Sequence, residues 1–409
     1  MPEPRYRVLV IGAHPVQYAA PLFRRMAQHP RLDLLVAYCT LRGAESGHDP
    51  EFGATVKWDI PLLDGYPWVH VHNRGLGDES FFGLNNPGLW PLLRDGNFDA
   101  VICHTGYLRA SFWIARLRAV LSRTAFIFCT DATTLNSMDG RTWKRPIKKL
   151  LWPFLYRIAT QVIAPSSGTQ DLMLSLGIPP ERVTLTPYSV DNEWWLAQSQ
   201  QVDRTSVRAA WGASPDTPVV LYCGKLQPWK RPQDLLHAFA KAQIANAILI
   251  VAGEGPLRRE LERETERLRI SDRVRYLGFV NQSQLPSIYT AADLLVLPSS
   301  YEAFGVVVNE ASLCGCPVVA SDRVGAARDL IAPIDNRLIY PSGNVEALMR
   351  ILEQVLSDRS HLSDLKLAVR KRMETWSPRE NIAGTVEAVR RAVARVRHAR
   401  KAADSSLDK

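Results

Sequence analysis

Short apolar runs alternate with longer helix-like stretches along the whole chain. Such runs predict buried strands of a parallel sheet, and the stretches between them predict helices packed on its faces. The sequence therefore predicts an α/β protein built from layers of helix and sheet. In the first half the predicted strands are RVLVIGA, LDLLVAYC, FDAVICHT, TAFIFCT and QVIAPS. In the second half they are TPVVLYCG, NAILIVAG, RVRYLGF, DLLVLPS, PVVASD and RLIY.

Each half of this pattern is typical of a doubly wound nucleotide-binding domain. At 409 residues the chain is long enough for two domains, each with its own core. The halves meet near Pro187–Trp195, which gives predicted domains of 1–190 and 191–375. The remainder, 376–409, predicts one helix to about Ala403 that packs on the N-terminal domain and ends in a frayed tail. The apolar side of this helix is formed by Val386, Val389, Val393 and Val396.

The composition is ordinary for a soluble globular protein, with 46% hydrophobic and 22% charged residues. No apolar run approaches the ~20 residues that cross a bilayer, and the start of the chain predicts a first strand instead of a signal peptide. The cysteines lie in scattered apolar segments, without the spacing of a zinc site or a disulfide framework. We therefore expect a reduced, cytoplasmic protein. The cysteines are Cys39, Cys103, Cys129, Cys223, Cys314 and Cys316.

The formal net charge of +9, with a sequence pI near 9.3, indicates an anionic partner. Nucleic acid, anionic small molecules and an anionic membrane surface are the classes that fit such a charge. Because the sequence contains no nucleic-acid fingerprint, we expect no nucleic-acid partner.

Two glutamates, Glu302 and Glu310, follow a predicted strand and flank the start of a predicted helix from about Phe304 to Cys314. In open parallel sheets, ligands bind beyond the carboxyl ends of the strands. A helical rise would place the two carboxylates roughly 12 Å apart, where they suit the two ends of a long ligand. Backbone amides near Phe304 and Gly305 would receive an anion between them. A sugar joined through phosphates to a nucleoside has this form; the alternative is an ordinary helix start, where acids are favoured.

Two further loops of the second half suit a diphosphate. Lys225 and Lys230 follow the strand TPVVLYCG, with Lys230 predicted to open a helix, and ammonium groups there suit a pyrophosphate. The alternative is a pair of solvated lysines. The tight turn Gly253–Glu254–Gly255 follows the next strand, and a plain strand-to-helix turn is an equally good interpretation of it.

Together these segments resemble the C-terminal half of the family-four retaining glycosyltransferases, which have the GT-B fold of two Rossmann-like domains facing each other across a cleft. HPVQYAAPLFRRMAQHP and KWDIPLLDGYPW resemble a bacterial branch of that family with an N-terminal HPxQY motif. The resemblance covers nearly the whole chain and is more specific in the second domain. Its motifs there are Gly224–Lys225 with Lys230, Gly253–Leu257, Val274–Gly278, Ala292–Leu294, Glu302–Gly305 through Glu310, and Gly315–Ala320.

The resemblance implies a role for each matching residue. Lys225 and Lys230 would hold the donor diphosphate, Glu310 would accept both ribose hydroxyls, and Glu302 would contact the donor sugar, with His104 facing that sugar from the first domain. The implied catalytic residues are Glu302, His104 and Lys230. The other implied donor-binding residues are Gly224, Gly253, Ala303, Phe304 and Gly305.

On the acceptor side the candidates are His14 and Asp131. A structural loop histidine and a helix N-cap are the respective alternatives. The chain also departs from the family pattern at three positions. Lys225 stands where the family usually has arginine, so a point charge replaces a guanidinium group that could donate two parallel hydrogen bonds. One glycine, Gly12, stands where many relatives have two, and Asp329 stands where glutamate is frequent.

The implied reaction moves a sugar, with retention, from a nucleoside-diphosphate sugar to an acceptor hydroxyl. A UDP-sugar is the expected donor, and bacterial cell-surface polysaccharide, glycolipid or glycoconjugate synthesis is the expected setting. No cofactor or metal is expected, because the lysines and helix amides would stabilise the leaving diphosphate. His70–Val71–His72 on a strand is interpreted as incidental. The alternatives are a GT-B epimerase and a catalytically silent binding protein; a phosphorylase would need a pyridoxal-phosphate lysine that no segment marks.

The segment 140–157 is basic, amphipathic and free of acidic residues. One interpretation is peripheral contact with an anionic membrane, which would bring a lipid-linked acceptor to the protein. The other is an ordinary helix that packs its apolar side on the core and exposes its lysines.

Overall fold

The computed structural model describes residues 4–45, 47–49, 54–136 and 141–407. Gly140, the first residue of the basic segment, and the terminal Asp408 and Lys409 therefore lie outside the described residues. The described residues fall into two units. Unit 1 draws on the ranges 1–45, 61–188 and 378–409, and unit 2 draws on 46–60 and 189–377.

Strands and helices alternate along much of the chain, as the apolar pattern predicts. The strands are β1 (Tyr6–Gly12), β2 (Leu32–Tyr38), β3 (Gly47–Asp49), β4 (Ala54–Val56), β5 (Trp68–His70), β6 (Ala100–Cys103), β7 (Ala125–Cys129), β8 (Gln161–Ala164), β9 (Val183–Leu185), β10 (Val219–Cys223), β11 (Ile248–Ala252), β12 (Val274–Gly278), β13 (Leu294–Leu297), β14 (Val318–Ser321) and β15 (Ile339–Tyr340). The helices are α1 (Ala19–Ala27), α2 (Leu89–Asp95), α3 (Ala110–Leu121), α4 (Lys144–Arg157), α5 (Ser167–Ser175), α6 (Asn192–Gln200), α7 (Arg204–Ala210), α8 (Pro232–Lys241), α9 (Arg258–Arg267), α10 (Leu285–Ala291), α11 (Val307–Leu313), α12 (Val345–Ser357), α13 (Arg359–Arg372) and α14 (Pro378–Leu407).

Within the described residues, unit 1 contains a parallel sheet of seven strands in the order β5-β2-β1-β6-β7-β8-β9. The chain runs outward from β1 in both directions, so its crossover helices cover both faces of the sheet. On one face, α2, α3, α4 and α5 bury one apolar cluster that includes Phe112 and Tyr156. On the other face, α14 packs on β7, β8 and β9, with Val386, Val389 and Val393 buried. Arg395 of α14 donates to the Gln161 side chain at 2.7 Å.

The described part of unit 2 contains a parallel sheet of six strands in the order β12-β11-β10-β13-β14-β15. The antiparallel pair β3–β4 and the residues up to Ile60 also group with this unit, although they lie within the predicted first domain, 1–190. Asn281 donates to the Lys57 carbonyl oxygen at 2.8 Å, and the rings of Trp58 and Phe279 lie 5.7 Å apart. The sequence pattern did not predict this grouping, because these contacts join residues that are far apart in the chain.

The predicted α/β class with two doubly wound domains is confirmed, while several element boundaries differ. The strands β3, β4 and β9 were not predicted, because three-residue strands are too short for a periodic signal. Of the motif His70–Val71–His72, which was expected on a strand, His70 alone lies in β5. The helix α14 continues to Leu407, past the predicted end near Ala403. No glycine or proline after Gly384 interrupts it, so Ser405–Leu407 is helical where fraying was expected.

A buried carboxylate, Asp293, joins three elements of unit 2. Its oxygens lie 2.6 Å from Arg204 Nη2, 3.0 Å from Lys366 Nζ and 3.3 Å from Arg208 Nη1, and the Val219 N–H donates to it at 2.9 Å. Burial alone would raise the pKa of Asp293, but the surrounding cations hold it below its usual value. The network therefore fixes α7 and α13 against the start of β10 and β13.

We expect Asp293→Asn to lower the free energy of unfolding by about 3–5 kcal/mol, because it leaves the buried Arg208 without its counter-charge. Urea denaturation at neutral pH measures the difference. The matched control is Asp216→Asn, which breaks an exposed pair with Arg359 and should cost less than about 1 kcal/mol. Equal losses in the two variants would show that the Asp293 network contributes no more than a surface ion pair.

Candidate functional site

The carboxyl edge of the unit 2 sheet collects the loops that carry the predicted donor-binding residues. The strand β10 pairs in parallel with β11 on one side and with β13 on the other. Because parallel strands end at the same edge, the loops after these strands are neighbours. Lys225 and Lys230 follow β10, Gly253 follows β11, and Glu302 follows β13.

Glycines let the loops after β10 and β11 pack backbone against backbone. Gly253 has φ of 152°, and a Cβ at this position would lie 1.9 Å from the Gly224 carbonyl oxygen. A Cβ at Gly255 would lie 2.6 Å from the Leu226 carbonyl oxygen. The Leu226 N–H donates to the Glu254 carbonyl oxygen at 2.9 Å. These contacts tie the predicted Gly-x-Gly turn to the lysine loop and exclude side chains between them.

The turn that carries Glu302 is tied by its backbone to the loop after β14. The Gly325 N–H donates to the Glu302 carbonyl oxygen at 3.0 Å, and the Ala326 N–H donates to the Phe304 carbonyl oxygen at 2.7 Å. Gly305, with φ of 97°, then turns the chain into α11. The predicted residues Ala303, Phe304 and Gly305 thus form a fixed turn at this edge.

The helix after this turn begins later than predicted. The sequence predicted a start near Phe304, whereas α11 begins at Val307, because Gly305 takes a left-handed conformation that a helix does not contain. The roughly 12 Å separation of Glu302 and Glu310 assumed one continuous helical rise, so it does not describe the two carboxylates.

Lys230 forms an ion pair with Glu302 across the loops after β10 and β13. Its Nζ donates to Glu302 Oε2, and both side chains are largely buried, with 22% and 17% of their surface exposed. The prediction that Lys230 opens a helix is wrong: Lys230 closes the 3-10 turn Pro228–Lys230, and Arg231 at φ 51° separates that turn from α8. The neighbouring Lys225 is half-buried, and its carbonyl oxygen accepts from the Tyr222 hydroxyl at 2.9 Å.

Glu310 lies on the buried side of α11 and has one neutral hydrogen-bond donor. The Tyr289 hydroxyl donates to Glu310 Oε2 at 2.9 Å and lies 3.3 Å from Cys223 Sγ. Burial raises the pKa of Glu310 to about 7, against the smaller opposing effect of the Tyr289 hydrogen bond. A carboxyl group held in this way costs stability unless a ligand supplies further donors, which is typical of a functional site. Tyr289 had no signal in the sequence analysis, since its contact with Glu310 joins two separate helices.

The carboxyl edge of the unit 1 sheet carries the remaining predicted residues. His14 follows β1, His104 follows β6 and Asp131 follows β7, and these three strands are consecutive in the sheet. All three side chains are exposed. The N-cap alternative for Asp131 does not fit the structure, because no helix among the described residues starts beside it.

Two tyrosines, Tyr18 and Tyr188, accompany Asp131 at this edge. Their rings meet edge to face with centroids 5.7 Å apart. Burial and then the Asp131 carboxylate raise the pKa of Tyr18 to about 12, so its hydroxyl stays protonated and can act as a hydrogen-bond donor. Tyr18 belongs to the HPVQY motif, but the sequence analysis gave neither tyrosine a role.

The described residues contain no group of three or more His, Cys, Asp or Glu side chains placed to hold a metal ion. His70 ends β5, at the start of the His70–Val71–His72 motif. Over the same described ranges, no helix combines the length and the apolar character that a membrane-crossing segment needs.

Both halves of the chain match known glycosyltransferase families. Residues 203–372 match the family described as glycosyl transferases group 1, and residues 2–189 match the glycosyl transferase 4-like domain. A protein of Methanocaldococcus jannaschii, named uncharacterized glycosyltransferase MJ1607, is 32% identical over 76% of this chain and 82% of its own length. A D-inositol 3-phosphate glycosyltransferase of Rhodococcus erythropolis is 26% identical over 94% of this chain and 91% of its own length.

The fold is also similar to a solved structure. The crystal structure of Anabaena Alr3699/HepE in complex with UDP and glucose superimposes with a TM-score of 0.70. The match covers 94% of this chain and 100% of that chain, at 20% sequence identity. At this identity the match shows a shared GT-B fold.

We expect Glu310→Gln to stabilise the ligand-free protein at pH 8. Glu310 has a folded pKa of about 7 against an ordinary value of 4.5, so the folded state binds its proton more tightly. Its stabilising contribution is therefore complete below pH 4.5 and falls by roughly 3 kcal/mol as pH rises through 7. Urea denaturation of variant and wild type at several pH values measures this difference.

The glutamine variant should match wild type near pH 4.5 and exceed its stability by roughly 3 kcal/mol at pH 8. Glu266→Gln, at an exposed position of α9, is the control and should show no such pH-dependent difference. A Glu310→Gln curve parallel to that of wild type would exclude a raised pKa at Glu310.

Proposed function

This chain belongs to the group 1 glycosyltransferases, and we propose that it transfers a sugar, with retention, from a nucleoside-diphosphate sugar to a hydroxyl acceptor. The observation that carries the proposal is the arrangement at the carboxyl edge of unit 2. A lysine–glutamate ion pair joins the loops after β10 and β13, and the fixed glycine turn lies in the second of these loops. Glu310, a buried carboxyl group with a raised pKa, lies on α11 directly after that loop.

In this proposal the donor binds along that edge. Lys225 and Lys230 hold the diphosphate, and the Glu310 carboxylate accepts from two ribose hydroxyls. Glu302 and the turn Ala303–Gly305 contact the donor sugar. A UDP-sugar is the proposed donor, which the UDP and glucose in the structure of Alr3699/HepE support.

In this proposal the donor diphosphate replaces Glu302 as the partner of Lys230. Glu302 neutralises Lys230 in the ligand-free protein. A diphosphate brings more negative charge than one carboxylate, so it would compete for the ammonium group and release Glu302 towards the sugar hydroxyls. The exchange keeps Lys230 paired throughout, which avoids leaving a buried ammonium group without a counter-charge.

The transfer breaks the bond between the anomeric carbon and the diphosphate oxygen and forms a bond from that carbon to the acceptor oxygen. The acceptor attacks from the face that the diphosphate leaves, and a leaving phosphate oxygen takes the acceptor proton. Negative charge grows on the diphosphate during this step, and Lys225 and Lys230 stabilise it where it develops. We expect no requirement for a metal ion. We propose His104 as a further contact of the donor sugar.

We assign the acceptor to unit 1, where His14 and Asp131 are the candidate contacts. The Tyr18 and Tyr188 hydroxyls beside Asp131 add polar groups suited to a sugar. The acceptor class is a sugar, a glycolipid or another hydroxyl compound, in bacterial cell-surface polysaccharide, glycolipid or glycoconjugate synthesis. A glycolipid acceptor would lie at the inner face of a membrane, with the basic segment 140–157 in peripheral contact.

We expect Glu310→Ala to weaken UDP binding by about 2–4 kcal/mol, or roughly 30- to 1000-fold, because two hydrogen bonds to a carboxylate are lost. Titration calorimetry measures the change. Wild-type affinity should also fall as pH drops below about 7, since protonated Glu310 accepts more weakly. Unchanged affinity would remove Glu310 from the ribose site.

Lys230→Ala should lower kcat as well as affinity, because the charge that Lys230 faces grows in the transition state. The control is Lys241→Ala at the far end of α8, where Lys241 makes an exposed pair with Glu346. That variant should keep wild-type kinetics. An effect of Lys230→Ala on KM alone would give Lys230 a binding role only.

We expect incubation with UDP-sugars to give slow donor hydrolysis and, with a suitable acceptor, an α-linked product from an α-linked donor. The anomeric proton coupling in the NMR spectrum of a gluco-configured product distinguishes the two linkages. A β-linked product would overturn retention. Interconversion of donors would indicate an epimerase, and binding without turnover would indicate a silent binding protein.

A further inference from the structure

Exposed large apolar side chains concentrate in one part of unit 1. Scattered single exposures are normal on a protein surface, whereas a cluster marks an interaction site. Among the described residues, most of the exposed large apolar side chains lie between positions 76 and 154. The helices α3 and α4 carry the majority of these.

The helix α3 is apolar on two sides. Phe112, Ala115 and Ala119 face the core. A second apolar row at helical spacing is 41–60% exposed and consists of Trp113, Leu117, Val120 and Leu121. A surface helix needs one apolar side, so the second row requires another apolar partner.

The helix α4 repeats this arrangement. Trp152 and Tyr156 anchor it in the core. A row with the same spacing is 45–67% exposed and consists of Trp143, Ile147, Leu150, Leu151 and Phe154. The interpretation of segment 140–157 as a helix that packs its apolar side on the core therefore accounts for only two of its large aromatic residues.

The two rows belong to one surface, which we call the outer face. Both helices cover the same side of the unit 1 sheet and share one core cluster, so their exposed sides point away from the sheet together. Tyr107 joins them directly: its hydroxyl accepts from Trp152 Nε1 at 2.9 Å, and its carbonyl oxygen accepts from Trp113 Nε1 at 2.8 Å. Phe81 lies beside the start of α3, where its carbonyl oxygen accepts from the Ala110 N–H at 2.8 Å.

Basic residues dominate the charges of the helices that carry the outer face. Glu79, which pairs with Arg109, and Asp95, which interacts with Arg118, are acidic neighbours from preceding segments. The sequence has no acidic residue in 100–130 or in 141–170. The basic residues of these helices and their flanks are Arg109, Arg116, Arg118, Arg123, Arg141, Lys144, Arg145, Lys148, Lys149 and Arg157. A helix with Trp, Phe and Leu on one side and Lys and Arg on the other is typical of a segment that lies in a membrane interface.

We propose that α3 and α4 together form a docking surface for an anionic lipid bilayer, with the outer face in the headgroup region. A symmetric dimer through this face would bring two predominantly basic surfaces together, which disfavours self-association. Protein interfaces are also depleted in lysine. The proposal does not depend on the transferase activity, and it extends the surface from the basic segment to α3.

The test is co-sedimentation of the full chain with vesicles of phosphatidylcholine alone and of phosphatidylcholine mixed equally with phosphatidylglycerol. One double variant alters each helix: Leu117→Ser with Leu121→Ser on α3, and Leu150→Ser with Phe154→Ser on α4. Because these side chains are exposed, the folded protein tolerates their loss. Leu367→Ser, at a 67% exposed position of α13, is the matched control.

We expect wild type and Leu367→Ser to bind the mixed vesicles with the same affinity. Each double variant should bind them with an affinity at least about tenfold lower. Reversing the exposed charges with Arg145→Glu and Lys149→Glu should weaken binding to mixed vesicles by about tenfold or more and leave the weak binding to neutral vesicles unchanged. Circular dichroism checks that each variant is folded.

Three outcomes would overturn the proposal. Failure of wild type to bind either vesicle would remove the lipid partner. Loss of binding in the α4 variant but not in the α3 variant would confine the contact to α4. A concentration-dependent dimer in analytical ultracentrifugation that the double variants disperse, without vesicle binding by wild type, would make the outer face a self-association surface.

Discussion

The parallel pairing of β10 with β11 on one side and β13 on the other is the constraint on which the candidate site depends. It brings loops that are far apart in the sequence to one edge of a sheet, so that Lys230 meets Glu302. The close backbone contact between Gly224 and Gly253 then sets the spacing of the loops. A side chain at Gly253 would force the loops apart and displace the lysines from the glutamates.

Two buried carboxyl groups of unit 2, Asp293 and Glu310, have pKa values shifted in opposite directions by their surroundings. Asp293 is surrounded by Arg204, Arg208 and Lys366, and these cations hold its pKa low. Glu310 accepts from the neutral Tyr289 hydroxyl and has no cation beside it among the described residues, so burial raises its pKa to about 7. The first group is satisfied within the protein and fixes helices to the sheet. The second reaches full hydrogen bonding only with a ligand, which is the physical reason to place it in a binding site.

Unit 1 also contains a doubly wound parallel sheet, and two of its surfaces differ in character. The carboxyl edge of its sheet gathers His14, His104 and Asp131, since the strands that precede them are consecutive in the sheet. Its helices α3 and α4 bury one apolar side each and expose a second. A polar edge, where we propose the acceptor site, and an apolar, basic outer face, where we propose the lipid contact, therefore coexist in one unit.

The amino-acid sequence alone predicts the α/β class, the two doubly wound domains and most strands, because buried parallel strands appear as continuous apolar runs. It also placed Lys225, Lys230, Glu302 and Glu310 after strands or on the following helix, since loops at strand ends are readable from the same pattern. Three features are visible in the folded protein but not in the sequence: the Lys230–Glu302 ion pair, the contact of Tyr289 with Glu310 and the grouping of β3 and β4 with unit 2. Each of these depends on contacts between residues distant in sequence, and local periodicity carries no record of such contacts. The exposed second rows of α3 and α4 were hidden for a related reason: a sequence shows that a helix is apolar on two sides, but only the packed structure shows which side remains outside.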